Sequence, residues 1–235
     1  MWVLLLLLHS DFYSQGDPSG SLFFIYKDMS SSSISRLTEL NAINEVLAAV
    51  GQAPVTTLDQ TNPDVSIIQQ TLKNVSREVQ SEGWHFNKEY HYKLVPQSDQ
   101  TIPIPDNMLQ LDLSPKYHGG KDVVRRSGKL YDKWKEPRED AYKFEGDIYA
   151  DIVWYFEWED LPAPIQDYII ARTSTVTSSR LVGDTAQFQI LKDREQFQRA
   201  NALEYDCNQA DYTYFGHPEG ENFHVSYQPY RAIYR

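Results

Sequence analysis

The sequence predicts an α+β fold: a helical bundle of two helix pairs, an antiparallel β-sheet inserted between them, and an extended C-terminal tail. Three observations predict it. Apolar residues recur every three or four positions as far as Gly83, alternate every second position from Trp84 to about Asp160, and resume the helical period after Pro162. The expected divisions are 1–28 (a non-native extension or loose tail), 29–83 (first helical part), 84–160 (β insertion), 161–207 (second helical part) and 208–235 (docking tail).

The N-terminal MWVLLLLLHS resembles the apolar part of a signal peptide, but no Lys or Arg precedes the run and it ends after Leu8. It is also far short of the ~20 residues that span a bilayer. Residues 1–28 are therefore expected to be an upstream extension ahead of Met29, or a loose tail, and no membrane association is expected.

From Ile34, the residues Leu37, Leu40, Ile43, Val46, Leu47 and Val50 mark one helix face, closed by Gly51 with Pro54 beyond it. A second helix opens with Asn62 as cap and Pro63 in the first turn, and carries Ile68, Leu72, Val75 and Val79 to Gly83. The two are expected to pack antiparallel, each covering the other's stripe. The stretch GWHFNKEYHY then changes period. Trp84, Phe86, Tyr90, Tyr92 and Leu94 take one side and His85, Asn87, Glu89, His91 and Lys93 the other, which reads as a strand with one buried face. Ile148, Ala150, Ile152, Trp154, Phe156 and Trp158 repeat the pattern. Between them, IPIP (102–105), Leu109/Leu111/Leu113 and VVRRSGKLYDKW (123–134) suggest shorter strands and a hairpin turning near Ser127-Gly128.

Pro162 and Pro164 open a third helix, closed by Gly183, whose threonines and serines make it weak in isolation. Asp184 and Gln187 form a capping-box-like start to a fourth, which carries Phe188, Leu191 and Leu203. Beyond it the tail holds seven aromatics among prolines and glycines. That is too aromatic for a plain linker and too irregular for a core, so it is expected to dock, with Tyr212, Tyr214 and Phe215 among its contacts.

Composition narrows the function. The 235 residues hold 22 Lys plus Arg against 33 Asp plus Glu, a net charge of −11, which argues against clamping DNA phosphates. Cys207 is the single cysteine, so no internal disulfide forms and CxxC zinc spacings are absent. On one strand, His85 and His91 would stand roughly 20 Å apart, too far to share a metal ion. Glu157, Glu159 and Asp160 lie near Trp154 and Trp158, as a carbohydrate-active hydrolase would need, but the pleat sends rings and acids to opposite faces. GxGxxG, GxxxxGK[ST] and GxSxG are all missing. No catalytic, cofactor-binding or metal residue is assigned.

Charge is more telling. Residues 115–135 hold seven Lys/Arg against two Asp/Glu, a net of +5, and residues 136–161 hold two against nine, a net of −7. The two blocks could pair with each other, or each could face the opposite block of a neighbouring subunit in a ring. Arg125, Arg126 and Lys129 are the candidate contacts.

Three long segments, ELNAINEVLAAVGQAPVTTLD (39–59), LKNVSREVQSEGWHFNKE (72–89) and LPAPIQDYIIARTSTVTSSRLVGD (161–184), together resemble the tail tubular protein A family of short-tailed bacteriophages. The likeness runs from about Leu37 to Tyr214. It implies a structural virion protein without enzymatic activity or cofactor: a head-to-tail adaptor, assembled in the host cytoplasm as a dodecameric ring between the portal and the tubular nozzle protein. Tail fibres would be a further candidate partner, and the genome would pass through the ring without specific binding.

Overall fold

A computed structural model describes residues 37–58, 62–114, 117–118, 121–136 and 138–210. The expected extension at 1–28 and the tail contacts Tyr212, Tyr214 and Phe215 lie outside the described residues. Among the described residues the chain is a mixed α+β fold with four helices, α1 (Glu39–Ala49), α2 (Pro63–Gln80), α3 (Ala163–Leu181) and α4 (Thr185–Ala210), and two small antiparallel sheets.

The helix ends follow local chemistry. Thr38 Oγ1 accepts the Asn41 amide at 3.3 Å to start α1, and Asn62 Oδ1 accepts the Asp64 amide at 3.0 Å to start α2, with Pro63 in its first turn. Gly51, Gly83 and Gly183 follow α1, α2 and α3, each with φ between 71° and 78°, a conformation most side chains avoid. At Gly83 a side chain would also crowd Val153, whose Cγ2 lies 3.3 Å from the ideal Cβ position.

The helices do not form two separate pairs. α1 and α2 touch, but each packs more on α3, which also carries α4. α3 is buried on almost every side, from Ile165 to Ser178. That position explains its small polar residues. Thr173, Ser174 and Thr175 donate their hydroxyls to the carbonyls of Ile169, Ile170 and Ala171 at 2.7–3.1 Å, so a central helix stays slim with these three hydroxyls satisfied, while those of Thr177 and Ser178 are buried without a partner among the described residues. Only half of the expected capping box forms at α4. Asp184 accepts the Ala186 backbone amide at 3.0 Å, while the Gln187 side chain donates its Nε2–H across to the Ala49 carbonyl at the end of α1.

The β region departs from strict alternation at both ends. Trp84 is buried, donates Nε1–H to the Val79 carbonyl at 2.7 Å, and belongs to the helical core; His85–Asn87 is a 3₁₀ turn. Strand β1 begins only at Lys88 and runs to Leu94. Its register shifts between Glu89 and Tyr92, where His91 takes φ 56° and gives its amide to the Asp151 carboxylate at 2.9 Å instead of to the ladder. The bulge breaks the predicted buried face: Tyr90 is half-buried and Tyr92 exposed. Likewise β5 (Ile148–Trp154) stops four residues before Trp158, which sits in a 3₁₀ turn and is buried among the helices.

β5 is the central strand of a sheet ordered β1-β5-β2, where β2 is Met108–Leu113. β3 (Val123–Arg126) and β4 (Lys129–Asp132) form the predicted hairpin. Ser127 and Gly128 turn it with φ 50° and 71°, the two positive values of a type I′ turn. IPIP runs beside this hairpin through one bridge, Pro103 to Lys129, rather than as a strand, because Pro103 and Pro105 have no amide to give. Its isoleucines are nonetheless buried, and they join Leu130, Phe144 and Ile152 in a second core.

Candidate interaction surfaces

The histidine-bearing strand turns out to be a structural joint. Ser114 Oγ lies 2.6 Å from His91 Nδ1, and Asp151 Oδ1 lies 3.5 Å from the same nitrogen. A relay of nucleophile, base and acid needs serine and aspartate on opposite ring nitrogens, and Ser114 is fully buried. The group instead ties β1, the end of β2 and β5 together. The basis on which His85 and His91 were separated also changes, since His85 lies in the 3₁₀ turn before the strand, where its amide donates to Asp206 at 2.6 Å. Among the described residues, no three His, Cys, Asp or Glu gather as a metal site would require.

His118 holds the neighbouring edge. Its Nε2 accepts the Tyr149 amide at 2.9 Å, so the ring must be neutral, and burial, with a lesser contribution from Lys121, pushes its pKa below the usual 6.5. A depressed folded-state value means that the unfolded chain binds the proton more readily. Stability from this contact is therefore complete above pH 6.5 and declines as pH falls below it. Melting temperature is expected to fall between pH 7 and pH 5, and less steeply in His118→Gln. Equal slopes for the two proteins would exclude His118 as the cause.

The rings of the acidic segment are committed to packing. Trp154 meets Tyr92 edge-on at 5.5 Å between centroids, Phe156 tilts against Phe86 at 6.2 Å, and Trp158 donates Nε1–H to the Leu37 carbonyl at 2.7 Å. Glu157, Glu159 and Asp160 stand exposed around them. The segregation expected from an unbroken strand is thus produced by a turn, and the hydrolase reading gains no support.

The basic block lies on the hairpin, with its charges answered locally. Arg125 pairs with Asp106, Lys129 with Asp99 at 3.6 Å and Lys133 with Asp122 at 2.7 Å, and Arg126 lies 4.2 Å over the Tyr131 ring. These carboxylates come from outside residues 136–161, so the two opposite blocks do not neutralise each other through them. Such exposed pairs add little to stability, and they leave the guanidinium and ammonium groups accessible. Trp134 projects beside them, 73% exposed.

The surface that sequence reasoning missed is on α4. Its buried residues are Leu191, Glu195, Ala202 and Ala210, whereas Leu203 is exposed, as are Ile190 (70%) and Phe197 (64%). Ile190 and Phe197 are seven residues apart, within about 20° of one another around a helix. That spacing was the available signal, but a helix with apolar residues on several sides does not reveal which side turns inward. No helix among the described residues is long and apolar enough to cross a membrane.

The features that stand out are accessible surfaces on a rigid frame, as in a protein that works by assembling with others. Comparison with known proteins gives the class. A family model described as tail tubular protein matches residues 40–212, and the chain belongs to this family of structural proteins of the bacteriophage virion tail. The chain is also similar to tail tubular protein A of Klebsiella phage KP34, 27% identical over 176 residues that cover 74% of this chain and 89% of the relative.

Proposed function

We propose that the chain is a head-to-tail adaptor: copies of it form a ring, twelve in number, that joins the portal to the tubular nozzle protein and surrounds the path of the genome. In this reading α1–α4 form the bundle that builds the ring wall, the β region faces a partner, and the aromatic tail docks on a neighbour. Membership of the tail tubular family is the observation that carries it. The net charge of −11 supports it further, because a wall with excess negative charge lets a phosphate-rich polymer slide instead of holding it. Arg125, Arg126 and Lys129 are then contacts with portal or nozzle. Their substitution by Ala is expected to leave folding within about 1 kcal/mol, since each charge is exposed.

Light scattering on the full chain, alone and with portal, tests the proposal. A closed particle of many subunits supports it, and a monomer under both conditions refutes it. Because α4 continues to Ala210, the tail is cut after that residue and not at 207. A chain ending at Ala210 is expected to keep its helical circular dichroism and melting temperature while assembling poorly with portal and nozzle. Normal assembly by the truncated chain would remove the docking role from Tyr212, Tyr214 and Phe215.

A further inference from the structure

We infer that the outer face of α4 in one copy docks on the outer face of α2 in the next, so that each chain meets its two neighbours through different helical surfaces. The inference rests on the ring reading above and names the contact that would close the ring.

The outer stripe of α4 runs Ala186, Ile190, Asp193, Phe197, Ala200 and Glu204, every one exposed, over about 27 Å of helix. Two large apolar side chains lie between alanines small enough to let another helix approach. A patch of this kind, unpartnered on a stable helix, marks an interface. It is also acidic. Asp193 accepts only the Gln189 side-chain amide at 3.1 Å, and neither it nor Glu204 has a basic partner among the described residues.

The complement is on α2. Ile67 is 40% exposed, and Gln70, Lys73 and Arg77 lie on the same broad exposed face. Elsewhere in the helical part, Arg172, Lys192, Arg194 and Arg199 each reach a glutamate, at 2.6–3.6 Å. Lys73 and Arg77 have no carboxylate partner among the described residues. One face therefore carries apolar side chains with unanswered anions, and the other carries Ile67 beside unanswered cations. Both helices pack inward on α3, and among the described residues no element covers either outer stripe. Opposite charge on two different faces of one chain favours a second copy as the occupant. It selects head-to-tail association, which closes into a ring when the rotation permits.

Charge exchange in the full chain tests this. Lys73→Glu with Arg77→Glu, and separately Asp193→Lys with Glu204→Lys, are expected to lose assembly in native mass spectrometry while melting like the parent. An equimolar mixture of the two should regain the assembled mass, because each α2 then faces an α4 of opposite charge at every contact around an alternating ring. Phe197→Ser should also abolish assembly. A parent chain that assembles beside charge variants that assemble alone equally well would overturn the contact and leave the ring standing. A parent that stays monomeric, alone and with portal, would remove both. A photocrosslinker at position 197 of the assembled particle should capture an α2 peptide from another, isotopically labelled copy. Capture of residues 211–235, portal or nozzle instead would overturn the assignment.

Discussion

Replacing Gln80 by Met is expected to lower stability by about 3 kcal/mol, although the two side chains have similar volume. Gln80 is fully buried at the end of α2. Its Nε2 donates to Ser76 Oγ and to the Phe156 carbonyl, both at 3.0 Å, and its Oε1 accepts the Phe156 amide at 2.8 Å. One side chain thus satisfies both backbone groups of a residue 76 positions away, where the chain leaves β5 and returns to the helices. Methionine fills the space but orphans that amide and carbonyl, and each unsatisfied group costs roughly 1–3 kcal/mol. In a chain of this size the melting temperature should fall by roughly 6–12 °C. Gln70→Met is the control. Among the described residues Gln70 makes only an exposed bond to Asn74, so its loss should stay within about 0.5 kcal/mol. A Gln80→Met protein that melts with the parent would show that this clamp does not hold the helical and β parts together.

Tyr168→Ala is expected to cost about 4 kcal/mol, the range for deleting a buried ring. Tyr168 is fully buried on α3, and Trp84 meets it edge-on with 6.4 Å between centroids. Its hydroxyl accepts from Arg199 at 2.8 Å and Arg172 at 3.4 Å, and these guanidiniums continue to Glu82 and Glu78. The residue therefore fills the core and anchors a charged network linking α2, α3 and α4. Tyr168→Phe separates the two roles. Packing survives, the two bonds from the guanidiniums to the hydroxyl are lost, and the cost should be about 1–2 kcal/mol because Arg199 keeps Glu82 and Arg172 keeps Glu78. Urea denaturation of the three proteins measures both steps. Equal stabilities for the Ala and Phe variants would mean that the ring contributes nothing beyond its hydroxyl.

These two residues mark the boundary of what was legible in the sequence. Helix signals are local, and they were readable. Asn62 with Pro63 opens α2, Gly51 and Gly83 follow α1 and α2 at positive φ, and the hydroxyl-rich α3 runs between Pro162 and Gly183. The hairpin was readable for the same reason, since Ser127-Gly128 can take the two positive φ values its turn demands. Sequence also located the basic hairpin residues, but not that Arg125, Lys129 and Lys133 find acids within the same β region.

Amino-acid order by itself determined the helices, the tight turn and the mixed α+β class, because each depends on neighbours within about four residues. Tertiary structure alone decided where strands β1 and β5 begin and end, and which side of α4 meets water. At those places the deciding groups are far apart along the chain: Asp151 takes the His91 amide, Gln80 takes both backbone groups of Phe156, and α3 draws Leu191 inward while Ile190 and Phe197 stay exposed. An alternating or helical pattern says that one face can be buried. Which face is buried depends on the partner that arrives to cover it, and no local period encodes that partner.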